Sequence, residues 1–265
     1  MSQCYNLRME LMLITCNIRF DNPADGDNDW SNRRLFLAQT LLSHSPDIIA
    51  TQEGRFHQLK DLESLLPGYD MVDDHRSWIK ERMYPTFFVL KSKFEQLKSE
   101  DLWLSETPEI AGSRSFDSAF PRLMTWSRLQ PKGSDQQLLL VNTHLDHIKA
   151  DTRIEQIKVL ASEVKRFWNQ DCPLILMGDY NDSPQSLVRT HLLLEFMGMQ
   201  DAWALFNPTE ETSHHAFSGE MLNGSRIDWI MVDKKVKVLT CKMDKSSRNG
   251  KFPTDHFPIV ARISL

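Results

Sequence analysis

The sequence predicts an α/β protein folded as a four-layer α/β/β/α sandwich: two packed mixed β-sheets flanked by helices. About eleven short runs rich in β-branched, leucine or aromatic residues are spread along the chain, and four segments carry an amphipathic helical period. Their order is β-α-β-α, then strands alone from 69 to 145, then β-α-β-α and a final group of strands. A central run without a helix offers no crossover for parallel pairing, so two sheets suit the order better than one doubly wound sheet.

The first strand, 11–20, opens with Leu11-Met12-Leu13-Ile14-Thr15-Cys16 and meets a polar residue at Asn17. A helix over 31–44 precedes the run Asp47-Ile48-Ile49-Ala50 of strand 47–53, and a second helix covers 56–66. Strands follow at 69–73, 86–92, 97–104, 123–130 and 137–145. The third helix, 151–169, sets Ile154, Ile157, Leu160, Ala161, Val164 and Phe167 on one face and stops before Cys172-Pro173. Strand 174–179, helix 185–197 and strands 226–233, 236–243 and 258–264 complete the chain. The stretches 105–122, 207–225 and 244–256 exceed usual connection lengths and are candidate walls of a site.

A content of 41% hydrophobic and 25% charged residues describes an ordinary globular protein, and no linker divides residues 1–265, so a single domain is expected. The net charge of −5 supplies no global field toward nucleic acid. Cys4, Cys16, Cys172 and Cys241 lie far apart, without the paired spacing of a zinc or redox motif. Residues 1–9 lack a signal-peptide core and no run is long enough to span a bilayer; a cytoplasmic location with no obligate protein partner is expected.

Polar residues collect at the ends of the apolar runs, where α/β folds place chemistry. Pro173-Leu174-Ile175-Leu176-Met177 delivers Gly178-Asp179-Tyr180-Asn181; Gln52-Glu53-Gly54, His144-Leu145-Asp146-His147 and Thr254-Asp255-His256 occupy similar positions. Glu53, beside a glycine that lets the backbone turn away, is the best candidate for a hard-metal ligand, and Asn17, Asp179, Asn181 and Asp255 add oxygen of the kind that Mg²⁺ takes. For any one of these the plain alternative is a helix or turn cap. Asp228 is an acid inside an apolar run and costly to bury unless paired; His256 is its expected partner. His144 repeats the pattern, with Glu81 as the candidate for one of its ring nitrogens.

In order and interval, Thr15-Cys16-Asn17, Gln52-Glu53, Asn142-Thr143-His144, Gly178-Asp179-Tyr180-Asn181, Arg226-Ile227-Asp228 and Asp255-His256-Phe257-Pro258 resemble the endonuclease/exonuclease/phosphatase superfamily over nearly the whole chain. The resemblance implies a deoxyribonuclease I-like fold and a metal-dependent phosphoesterase that hydrolyses a phosphodiester or phosphomonoester by in-line attack of water. It implies that Glu53, with Asn17 and Asp255, holds Mg²⁺ or Mn²⁺, and that Asp179 positions or deprotonates the water. Asn181 would hold a phosphate oxygen, His256 with Asp228 would form a dyad against the phosphate, and His144, backed by Glu81, would stabilise phosphoryl charge.

The substrate is left open among a small phosphodiester or sugar phosphate, nucleic acid and a lipid headgroup. Arg114 is the candidate for a second phosphate, with His214 or His215 from the 207–225 stretch beside it. A nuclease groove finds only Arg33, Arg34, Arg55 and Arg76, and a lipid-seeking loop only Phe116 and Phe120. The competing reading, an inert binding protein of the same fold, is disfavoured because each expected polar position holds a competent residue.

Overall fold

A computed structural model describes residues 9–220 and 224–265. Twelve strands form two six-stranded sheets. The first holds β1 (Glu10–Asn17), β2 (Ile48–Gly54), β3 (Tyr69–Met71), β4 (Tyr84–Leu90), β11 (Lys237–Met243) and β12 (Ile259–Ser264), in the order β11-β12-β1-β2-β4-β3. The second holds β5 (Phe94–Trp103), β6 (Leu123–Pro131), β7 (Leu138–His144), β8 (Leu174–Asp179), β9 (Gln200–Asp201) and β10 (Asp228–Val232), in the order β5-β6-β7-β8-β10-β9. Helices α1 (Trp30–Leu42), α2 (Phe56–Leu65), α3 (Ala150–Phe167) and α4 (Leu187–Glu195) lie where the apolar periodicity placed them. The two-residue β9 and the 3₁₀ turn Pro23–Asn28 were not foreseen, since both are too short to establish a period.

Burial explains the layers. Leu11, Leu13, Ile48 and Phe87 of one sheet meet Leu138, Leu140, Ile175 and Met177 of the other in a shared core. The opposite face of the first sheet packs on Leu37, Leu41, Leu59 and Leu62 of α1 and α2, and that of the second on Ile157, Leu160, Val164 and Leu192 of α3 and α4. This is the expected four-layer sandwich. Both faces of the central strands are therefore covered, which accounts for β7 and β8 being buried throughout and apolar until their carboxyl ends.

Among the described residues, only β1–β2 and β7–β8 pair in parallel, each bridged by a helix, while β12 runs antiparallel to β1 and β10 antiparallel to β8. Four carboxyl ends and two amino ends thus arrive at the same edge of the sandwich. Pairing sets His144 opposite Asp179, and Asp179 opposite Asp228. Polar side chains tie the sheets below this edge: Asn142 Oδ1 accepts from Gln52 Nε2 at 2.8 Å, and Asn142 Nδ2 donates to the Thr51 carbonyl at 2.9 Å.

Arg76 joins the sheets farther out, donating through Nε and Nη2 to the two oxygens of Asp101 at 2.7 and 3.0 Å. Burial pushes the Asp101 carboxyl up, but the Arg76 charge and the hydrogen bonds from His75 and Arg76 outweigh it and hold the group at about 2. A carboxyl held below its unfolded value, about 3.9, stabilises the fold above pH 4 and loses that contribution as pH falls toward 2. Asp101→Asn strands a buried guanidinium. In urea unfolding at pH 7 it is expected to cost about 3 to 5 kcal/mol, with a smaller difference from wild type near pH 2.

Candidate active site

The backbone at this edge is shaped to aim side chains. The β2–β4 register shifts between Thr51 and Gly54, and Glu53 adopts φ 66°, a bulge that turns its carboxylate to the rim. A non-glycine residue in this region is strained and persists where its surroundings fix it. Gly178, at φ 147°, lets β8 close on β7: a Cβ there would stand 2.2 Å from the Thr143 carbonyl oxygen. Asn181 follows at φ 50°, so its backbone N–H returns to Asp179 Oδ1 at 2.8 Å. Tyr180 points away and stacks on Trp229, ring centroids 4.3 Å apart.

Glu53, His144, Asp179, Asn181, Asp255 and His256 line one cavity of about 260 Å³. Asn17 stands behind them: its Nδ2 donates to Glu53 Oε1 at 3.1 Å and to Asp179 Oδ2 at 3.0 Å, so carboxylates from the two sheets share one donor. Asn17 Oδ1 meanwhile accepts from the Arg19 N–H at 2.9 Å. Asn17 was expected to offer oxygen to a metal; here it turns nitrogen toward the carboxylates, because the tight turn at Arg19 takes its oxygen. The other oxygen of Glu53 accepts from the Phe20 N–H at 3.0 Å.

Asp228 and His256 are paired at 2.8 Å through Oδ2 and Nδ1, both buried. With a carboxylate on Nδ1, that nitrogen is the donor and Nε2 is left for the cavity. Burial opposes charge on His256, but Asp228, aided by Asp255 and Asp179, outweighs it and raises the imidazole to about 10. Asp179 is raised as well: burial, then the Asp228 charge, pushes its carboxyl up to about 7. His144 Nε2 lies 3.5 Å from Asp179 Oδ2, and burial, with Arg122, His256 and His147 adding to it, keeps that imidazole neutral, well below its usual range.

Three expected site residues are placed elsewhere. Glu81 was expected behind His144; at φ 62° it faces outward, two-thirds exposed, with its carboxylate 3.3 Å from Arg55. His215 was a candidate for substrate contact, yet it is fully buried, stacked on Phe257 at 4.0 Å, with Nδ1 accepting from the Gly219 N–H at 3.1 Å. Its neighbour His214 lines the cavity instead, 3.8 Å from Asp255 Oδ2. Arg114 is exposed and donates to the Ala119 carbonyl, outside the cavity walls. Residues 221–223 of the 207–225 stretch, and Cys4, lie outside the described residues.

The arginines considered for a nucleic-acid groove are largely occupied. Arg33 is buried and donates to the carbonyls of Ile18, Arg19 and Pro253, clasping the ends of β1 and the segment before His256. Arg76 is committed to Asp101, and Arg34 pairs with Asp61 at 2.7 Å. Conversely, Arg122, His147, Arg19 and Phe20 line the cavity without having been singled out. Arg122 had a usable signal, since it is a charge directly ahead of the apolar run of β6, the same pattern that pointed to Asp255-His256. Asp146 turns out to be a cap: Oδ1 accepts from the N–H groups of Ile148 and Lys149 at 2.8 Å each.

Whether this set suits a divalent cation is decided by its donors. Glu53, Asp179 and Asp255 are oxygen ligands of the hard kind. Asp255, like Asp179, is raised, first by burial and with the Glu53 charge adding to it, which marks carboxylates crowded beyond what nearby cations compensate. Asp228 Oδ1 is buried without a hydrogen-bond partner. Two trios, His214 with Asp255 and His256, and Asp179 with Asp228 and His256, have ligand atoms within 4.8 Å of one another. His256 held protonated cannot ligate, so the oxygen donors are the ones that fit.

Among the described residues, no helix is long and apolar enough to cross a membrane. The model of the endonuclease/exonuclease/phosphatase family matches residues 14–256. Among curated proteins the chain is similar to nocturnin of Rattus norvegicus, 21% identical over 269 residues that cover 89% of this chain and 59% of the relative. The chain thus spans little more than half the length of that relative. A solved endonuclease/exonuclease/phosphatase family protein of Bacteroides thetaiotaomicron superposes with TM-score 0.88 at 26% identity, covering 97% of this chain and 98% of the other. A mannosyl-6-phosphatase from the same organism superposes with TM-score 0.87 at 27% identity, covering 96% and 100%.

Proposed function

The chain belongs to the endonuclease/exonuclease/phosphatase family, a family of phosphoester hydrolases, and from that premise we propose that it is an Mg²⁺- or Mn²⁺-dependent phosphoesterase acting on a small phosphoester. The observation that supports this most is the opposed pair at the β8–β10 edge: a carboxyl held near neutrality, Asp179, beside an imidazole held as a cation, His256. An acid poised at working pH accepts a proton readily, and a fixed cation favours charge that grows on a phosphoryl oxygen.

In this reading Asp179 orients water for in-line attack and takes its proton while the P–O bond to the leaving alcohol breaks, and the departing oxygen takes up a proton from solvent. His256 donates through Nε2 to a non-bridging phosphate oxygen, with Asp228 keeping it charged. Asn181, anchored by Nδ2 to the Leu145 carbonyl at 3.0 Å, presents its amide to the same phosphate. Glu53 and Asp255 hold the cation, and Asn17 orients Glu53. When bound, the cation neutralises charge on a phosphate oxygen. His144, neutral and close to Asp179, donates to the phosphoryl group. A single catalytic domain and a cytoplasmic location belong to the same proposal.

The test is hydrolysis with Mn²⁺ or Mg²⁺ of bis(p-nitrophenyl) phosphate, plasmid DNA, short RNA, sphingomyelin, inositol phosphates and a mannosyl 6-phosphate. The last follows from the similarity to the Bacteroides mannosyl-6-phosphatase. Turnover of at least one ester is expected, abolished by chelation and lowered about 100-fold or more by Glu53→Ala. Chelator-insensitive turnover, or a Glu53→Ala variant retaining more than about a tenth of the rate, would overturn the proposal.

A further inference from the structure

The cavity over the carboxylates opens sideways into a larger chamber of about 550 Å³, and the two share Phe20, Phe120, Arg122, His144 and His147. Three guanidiniums, of Arg55, Arg82 and Arg122, border this chamber, and the Nε of each is buried without a hydrogen-bond partner. Arg122 is only 6% exposed. Its one side-chain hydrogen bond among the described residues runs from Nη2 to His147 Nδ1, at 3.2 Å. Neither Arg122 nor Arg82 has a carboxylate partner among the described residues.

Among the described residues, the only carboxylate on the chamber wall is Glu81, largely exposed and turned to Arg55. Arg82 and Arg122 thus set two guanidiniums with unpartnered Nε donors in one wall, and the charges of Glu53, Asp179 and Asp146 reach Arg122 without an ion-pair contact. A buried arginine without a counter-ion is costly, and its planar fork of donors matches a phosphate. Phe20 and Phe120 supply apolar surface where the two cavities join, room for a carbon skeleton between two anions.

We propose that the side chamber is a second anion subsite, so that the favoured substrate is a small phosphoester carrying two phosphates, one over Asp179 and His256 and the other between Arg82 and Arg122. The inference rests on the phosphoesterase reading of the floor and names its substrate class. It moves the second-phosphate role from Arg114, which lies outside, to the buried Arg122 and the half-buried Arg82 beside the space. Nucleotide, sugar and inositol bisphosphates share this chemistry.

Titration calorimetry with Ca²⁺ distinguishes them. Thymidine 3′,5′-bisphosphate, fructose 1,6-bisphosphate and inositol 1,4-bisphosphate are each compared with the corresponding monophosphate. At least one bisphosphate is expected to bind about tenfold or more tightly than its monophosphate, and Arg82→Gln or Arg122→Gln should bring that ratio within about twofold. Arg82 is half-buried, so its variant carries the test if Arg122→Gln does not fold. No preference above about twofold in the wild type, or a preference that survives in the folded variants, overturns the subsite. Hydrolysis of bis(p-nitrophenyl) phosphate without any bisphosphate preference removes the subsite and leaves the phosphoesterase. A preference with no ester cleaved keeps the subsite and removes the phosphoesterase reading.

Discussion

Asp179→Asn is expected to lower kcat by about 10²- to 10⁴-fold while raising the melting temperature of the metal-free protein. The opposite signs have one cause. Asp179 is buried across an antiparallel pair from Asp228, and burial followed by that like charge pushes its carboxyl up to about 7. An acid whose folded value lies above its unfolded one, about 3.9, favours the fold while protonated, and this is lost as pH rises through 7. The metal-free wild type should therefore lose stability between about pH 4 and pH 7, and the Asn variant, with nothing to ionise there, should lose less. Melting curves across that range, with kcat on any cleaved ester, check both halves. Activity above a tenth of wild type, or a variant less stable at pH 7 than its parent, contradicts the role given to Asp179.

His256→Gln should lower kcat by about 10²- to 10³-fold, the typical loss for one charge-stabilising donor. The more discriminating variant is Asp228→Asn, which leaves the imidazole in place and removes the charge that outweighs its burial. His256 is held at about 10 in the folded protein. A base with a raised value keeps its proton below that value and loses it above, so wild-type activity should persist to about pH 9 before this group limits it. Without Asp228 burial weighs more heavily and only the Asp255 and Asp179 charges still favour the proton, so it leaves at a lower pH. The alkaline limb of the pH–rate profile should then move to lower pH, whereas a purely structural role would lower the rate evenly across pH. An unmoved limb would remove the dyad.

The layers and the floor of the site were legible for the same reason: apolar runs fix strands, and strand ends fix where polar residues gather. The Asp228–His256 partnership followed from the cost of burying an acid, and it is present at 2.8 Å. Side chains on irregular backbone were not legible. Glu81 sits in a left-handed turn, and His215 follows His214, which forms an isolated bridge to His256, so neither orientation follows from a repeat. A one-residue difference in facing exchanged His215 for His214. The orientation of Asn17 escaped because the competing donor, the Arg19 N–H, exists only once the turn at φ 55° has formed. Arg122 was passed over within a long loop although its position ahead of β6 matched the pattern used elsewhere.

The single amide of Asn17 that reaches both Glu53 and Asp179 has a bearing on when this protein becomes active. Glu53 hangs from one sheet and Asp179 from the other, so neither sheet alone assembles the pair. A nascent or partly melted chain is thereby chemically silent, and competence arrives together with the closing of the sandwich. Assembly of the two sheets and assembly of the catalytic pair are thus one and the same event.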